Sequence, residues 1–152
     1  MAVYMKVVGK KQGEFKGDVI VPAFKDQIAL RSVNFGMGNP MDAASLMPTG
    51  RTIVRPVTIT KSMDKTSPLF MNAVSTREGA TVTISYSNDG ATNLSKKQIA
   101  TVKLTNAGAM DLQHVAGADG NALESITFSF TKIEYTWLDG GIVSEVDVTS
   151  AA

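Results

Sequence analysis

Apolar and polar residues along this chain alternate in short runs, and clusters of Gly, Asn, Asp or Pro separate one run from the next. Alternation of this kind buries one face of a β-strand and leaves the other toward water. It predicts strands at residues 3–8, 27–37, 52–61, 80–87, 98–106 and 125–137. Val57 and Ile59, interleaved with Thr58 and Thr60, show the pattern plainly. One segment departs from it: after Ser67 the period becomes helical, and Leu69, Phe70, Ala73 and Val74 fall on one face. Ser67 is expected to accept the free N–H groups of the first turn, Pro68 needs no donor there, and Gly79 permits a left-handed exit. Losing the Ser67 cap would cost about 1 kcal/mol, little beside the burial of Leu69 and Phe70. Six or more strands and one helix predict a mainly β fold, an antiparallel β-barrel whose open end the short α-helix caps.

Two predicted strands change phase partway. In 125–137 the apolar residues Ile126, Phe128 and Phe130 give way near Thr131 and Lys132 to Ile133, Tyr135 and Trp137. In 27–37, Ile28 and Leu30 give way to Val33, Phe35 and Met37. A bulge that resets the alternation accounts for this, and so does a strand that buries its second face against another subunit. The two readings are compatible.

The connection 38–50, GNPMDAASLMPTG, carries Met41, Leu46 and Met47. These side chains suit either a loop folded back on its own barrel or an extended loop that docks on a neighbour. Residues 140–148 follow an Asp139-Gly140 turn signal and alternate again, as a hairpin strand on 133–138 or an addition to a neighbour's sheet edge would.

The length of 152 residues fits a single domain spanning 1–152, with a core large enough to need neither disulfides nor a metal. There is no cysteine, so thiolate metal sites and cysteine nucleophiles are excluded. The formal net charge of +1 gives no basic field for a polyanion, and nucleic acid is not an expected partner. Lysines follow the first short apolar run instead of preceding it, so the N-terminus reads as a strand and not a cleaved leader. No run approaches the roughly 18 to 20 apolar residues of a membrane span, so membrane insertion is not expected. The chain is expected to be made in the cytoplasm, with any export by a route that needs no cleaved signal.

Candidate chemistry is sparse. His114 is the only histidine, and one imidazole without cysteine assembles neither a triad nor a metal site. Asp139 with Glu145, or Asp64 with Glu78, are possible carboxylate pairs, but acids beside turns and helix ends usually serve as solvated turn and capping groups. Residues 117–121 lack the phosphate-loop and calcium-loop patterns and read as a turn. Lys10, Lys11 and Lys16, and the pair Lys96 and Lys97, read as residues that keep strand edges soluble. No catalytic residue, metal or cofactor is expected.

The run Thr60-Lys61-Ser62-Met63-Asp64-Lys65-Thr66-Ser67-Pro68-Leu69, after a threonine-rich strand, resembles the haemolysin-coregulated protein (Hcp) family of type VI secretion systems. The opening 1–17, with VYMKVVG, and the closing 124–137, ESITFSFTKIEYTW, are similar to that family's first and last strands. The resemblance implies a homo-hexameric ring, rings stacked into a hollow tube, a contractile sheath around it, a spike at its tip and effector proteins in its lumen. It also implies that the 38–50 loop reaches toward a neighbouring ring. Residues 18–24, DVIVPAF, depart from the family pattern. A tail-tube protein of a phage or extracellular injection particle, and a monomeric β-barrel ligand-binding module, are the alternatives.

Overall fold

In the computed structural model, which describes residues 2–88 and 97–148, the chain forms an antiparallel sheet with one α-helix packed on it. In order along the chain come β1 (Ala2–Gly9), β2 (Gly13–Glu14), β3 (Ile28–Leu30), β4 (Ser32–Asn34), β5 (Met37–Gly38), β6 (Ile53–Val54) and β7 (Val57–Ser62). They are followed by α1 (Ser67–Thr76), β8 (Gly79–Ser87), β9 (Gln98–Ala116), β10 (Ala122–Ser129), β11 (Lys132–Trp137) and β12 (Ile142–Asp147). The main sheet runs β2-β1-β8-β9-β10-β7-β4, with β3 on β1 and the β11–β12 hairpin beside β9. The mainly β, antiparallel character with one helix is as expected, while the strand pairing itself does not close into a ring. Its ladder stops at β4, and the bend at Arg31, whose N donates to Thr60 O at 2.7 Å, carries the chain from β3, paired with β1, to β4, paired with β7.

The phase changes have a geometric cause. In 27–37 the chain changes neighbours at Arg31, so Ile28 packs inward from β1 and Val33 inward from β7, with Arg31 and Ser32 both outward between them. In β9 the pairing with β8 shifts by one residue between Ala80 and Val82, and Asn106 on the β9 side has φ 51°. Opposite it, β10 and β11 keep one continuous register along β9, from Ser129↔Gly108 to Lys132↔Thr105. Asn106 and Thr131 are thus both the extra residue of their strands, and the inward set passes from Ala107 and Phe130 to Leu104 and Ile133 together. The β9 strand also extends ten residues past its expected end at 106, to Ala116.

Inward residues of these strands form one cluster, with Met5, Val7, Ile28, Val57, Ile59, Val82, Ile84, Val102, Leu104, Ile126 and Phe128 almost fully excluded from water. The helix lies on this cluster. Phe70 and Ala73 are buried, Leu69 and Val74 half-buried against it, and the Phe70 ring meets Phe15 edge-on at 5.1 Å and Phe128 at 6.2 Å. Both predicted ends of the helix are corrected. Thr66 occupies the N-cap with no side-chain cap bond, and Arg77, at φ 56°, makes the left-handed exit. Gly79 already begins β8, paired with Gly108. Pro68 sits in the first turn as expected.

The divergent residues 18–24 cover the outward face of β1. Val21 and Phe24, the latter on one turn of 3-10 helix at Pro22–Phe24, bury Tyr4, and the Tyr4 and Phe24 rings stack at 4.4 Å. At Tyr4 and Met5, β1 is consequently buried on both faces.

Candidate assembly surfaces

Past Ile133 the inward face of β11 runs out of core. Tyr135 and Trp137 are each 44% exposed, and Ile142 and Val143 across the hairpin are more so. With Phe35, Met37 and Val146, the side chains of Tyr135, Trp137 and Ile142 line an apolar groove of about 260 Å³. The Phe35 and Tyr135 rings meet edge-on at 5.9 Å and form part of one wall. The expected hairpin of 140–148 on 133–138 forms, with Trp137 opposite Ile142 and Lys132 opposite Asp147. Among the described residues β12 pairs only with β11, so along residues 142–146 no second strand lies on its other edge.

The loop does not fold back on the sheet. From β5 and β6, paired through Met37↔Val54 and Gly38↔Ile53, it continues through a bridge between Met41 and Pro48, and every residue from 41 to 51 is exposed. Its shape is set internally. Asp42 accepts from Ser45 Oγ at 2.9 Å and Ala44 N at 3.2 Å, which holds its carboxyl below the usual aspartate range. Asp42 N donates to Met47 O at 2.9 Å, and Thr52 Oγ1 donates to Asn39 Oδ1 at 2.6 Å. Met41, Leu46 and Met47 stand outward on this frame, 60%, 68% and 62% exposed.

At the start of α1 lies a polar knot absent from the expectations above. Lys61 and Glu124 are in phase with Ile59 and Ile126, so both point inward, and they are 0% and 4% exposed. That phase relation was the available signal. Lys61 Nζ donates to Glu124 Oε1 at 2.8 Å, Asp64 Oδ1 at 2.9 Å and Ser67 Oγ at 3.1 Å, and lies 5.6 Å from the centre of the Phe70 ring. Ser67, expected as the cap, is bound instead to Glu124 and accepts from Asp64 N. Burial pushes the Glu124 carboxyl up, but the bonds from Lys61, Ser67 and His114 outweigh it and hold it below the ordinary glutamate value. His114, partly exposed on β9, brings Nδ1 to 3.4 Å from Glu124 Oε2.

Glu78, expected as a solvated acid, is 3% exposed. Burial raises its carboxyl, and the Gln12 and Lys11 backbone N–H groups, at 2.8 and 3.1 Å, bring it below its ordinary value. The carboxylate lies against Gly9, where a Cβ would stand 2.0 Å from Oε2. Asp64 and Glu78 thus serve different clusters, and Glu145 pairs with Lys132 at 3.0 Å. Lys10 Nζ donates to Asn106 Oδ1 at 3.3 Å, and residues 117–121 turn β9 into β10. Lys96 lies outside the described residues. Among the described residues no three His, Asp or Glu side chains gather to hold a metal ion, and no helix is long and apolar enough to cross a membrane.

Comparison with known proteins bears on these surfaces. Residues 4–137 match the family model described as "Type VI secretion system effector, Hcp". A Pseudomonas aeruginosa relative named "Major exported protein" is 31% identical, over 88% of this chain and 87% of its own. Among solved structures, an Hcp protein superposes with a TM-score of 0.87 at 21% identity, over 97% of this chain and 99% of the other. Hcp1 of Escherichia coli EAEC 042 superposes with a TM-score of 0.87 at 22% identity, over 97% and 99%. Secreted Hcp3 of Pseudomonas aeruginosa gives 0.74 at 23%, over 96% and 97%.

Proposed function

The chain belongs to the Hcp family of type VI secretion, and from that premise we propose that its copies close head to tail into a hexameric ring and that such rings stack into a hollow tube. The observation that carries this reading is the apolar groove of Phe35, Tyr135, Trp137 and Ile142, together with the stretch 142–146 of β12 that no second strand covers. An exposed Trp, Tyr and Ile together are what an interface core is made of, and an unpaired edge offers backbone bonds to a second sheet. A two-fold contact between two such grooves would stop at a dimer, so ring closure seats a different surface of the next copy there.

Within the subunit, the bent segment from Ile28 to Asn34 closes the sheet toward a barrel, with Leu69, Phe70, Ala73 and Val74 covering one end. Met41, Leu46 and Met47 dock on the neighbouring ring, because three apolar side chains on a self-supported loop gain nothing from water alone. The tube acts mechanically and not as an enzyme: a contractile sheath drives it, a spike tips it, and effector proteins travel in its lumen. The chain leaves the cell with the tube.

Size-exclusion chromatography with light scattering, followed by negative-stain imaging, tests the ring. Six subunit masses and closed annuli are expected. A particle of one subunit mass across the micromolar range would overturn the proposal.

A further inference from the structure

Six of the eight methionines are strongly exposed, Met37, Met41, Met47, Met63, Met71 and Met110, while Met5 is fully buried. A thioether in water packs against nothing and stays open to two-electron oxidants. Met41 and Met47 differ from the others in their setting. The Asp42 N to Met47 O bond and the Met41↔Pro48 bridge hold both in one turn, with Leu46 kept at φ 59° beside them. Two thioethers and one branched alkyl group thus make a single apolar tip whose backbone is fixed by its own hydrogen bonds. Chemistry at sulfur would change the polarity of the tip without unfolding it.

We infer that Met41 and Met47 form a reversible oxidation site, at which a peroxide turns the loop tip polar and blocks ring-on-ring contact. The inference rests on the reading that this loop docks on the neighbouring ring. In the reaction the thioether sulfur attacks one peroxide oxygen, an S–O bond forms and the O–O bond breaks. Sulfur gives up two electrons, and the second oxygen takes the peroxide's protons and leaves as water. The resulting sulfoxide carries a strong acceptor that an apolar seat cannot satisfy. In stacked rings the tip is covered, so oxidation acts on free rings and existing tubes are spared. Methionine sulfoxide reductases of both stereospecificities, with a thiol as electron donor, reverse it.

The test treats purified protein with dilute hydrogen peroxide, maps oxidation by peptide mass spectrometry, and measures ring-on-ring association by sedimentation velocity over a concentration series. Met41 and Met47 should convert while Met5 does not. Treated rings should keep their hexameric mass and thermal transition, associate on the order of tenfold or more weakly, and recover after reductase treatment. The Met41→Leu/Met47→Leu variant carries no sulfur at the tip, so peroxide should leave its association where it stood in the untreated variant. If the native protein still stacks after both residues convert, or if the leucine variant is inhibited equally, the sulfoxide proposal is overturned. The Met41→Ser/Leu46→Ser/Met47→Ser variant separates the two ideas: undiminished stacking there refutes loop docking itself, whereas lost stacking there with peroxide-insensitive native rings refutes only the oxidation site.

Discussion

Replacing Lys61 by Met tests the polar knot. The change keeps most of the length of the side chain, but it removes the cation from over the Phe70 ring and leaves Glu124, 4% exposed, without its principal cation. Breaking a buried pair from one side costs about 3–5 kcal/mol, a large share of the roughly 5–15 kcal/mol that holds a domain together. The penalty comes from the stranded carboxylate, so it has a pH signature. In the native chain the Glu124 carboxyl is held low, and its stabilisation is present above the unfolded value of about 4.3 and lost as pH falls through the folded value. In Lys61→Met, burial without a cation raises that carboxyl instead. The variant is then penalised most at neutral pH and recovers relative to the native chain as acid neutralises Glu124. The double variant Lys61→Met/Glu124→Leu removes both charges and should return to within about 1 kcal/mol of native stability. Urea unfolding of dilute subunits, followed by the fluorescence of Trp137, the only tryptophan, measures all three between pH 4 and 8. A loss below about 1 kcal/mol for Lys61→Met at pH 7, or a double variant no better than the single one, would refute this reasoning.

Phe70→Ala empties the seat between Phe15 and Phe128 and should cost about 3–5 kcal/mol by the same urea assay; a loss under about 1 kcal/mol would mean that the helix does not depend on this contact. The Met41→Ser/Leu46→Ser/Met47→Ser variant should keep its melting temperature and hexameric mass and lose stacking in sedimentation. A drop in melting temperature would place the loop in its own subunit's core. Trp137→Ser with Ile142→Asp, both on exposed positions of the groove, should leave circular dichroism unchanged but yield single subunits in light scattering. Intact hexamers from that variant would remove the groove from the ring contact.

What the sequence conveys about this fold follows the range of the interactions involved. Alternation and period are local, so the strands at 3–8 and 80–87 and the apolar helix face at Phe70 and Ala73 are readable within a few residues. The choice of Thr66 over Ser67 as cap is not local, because Ser67 is drawn away by Glu124, which lies 57 residues further along. Arg77 takes the left-handed exit two residues before the glycine that would adopt it most easily, since Glu78 must already turn inward to meet Lys11 and Gln12. Charged residues in strands are ordinarily assigned to water, which hides Lys61 and Glu124 although their positions match the inward residues on either side. The loop reads as apolar from its composition, but its exposure depends on hydrogen bonds that stay within it, which composition does not encode.

The paired irregularity at Asn106 and Thr131 bears on how the length of this chain can vary. Each strand carries its extra residue at the same level, so β9 and β11 stay in step while β9 moves by one position against β8. Excising Asn106 alone would slide β9 against β11 and turn one of them inside out. Excising both would keep the strand registers and straighten the bend, at the loss of the Thr131 N to Thr105 O and Val148 N to Thr131 O bonds. The two positions therefore form a single unit for insertion and deletion, with one codon's gain or loss tolerable only when the other, 25 residues away, changes with it.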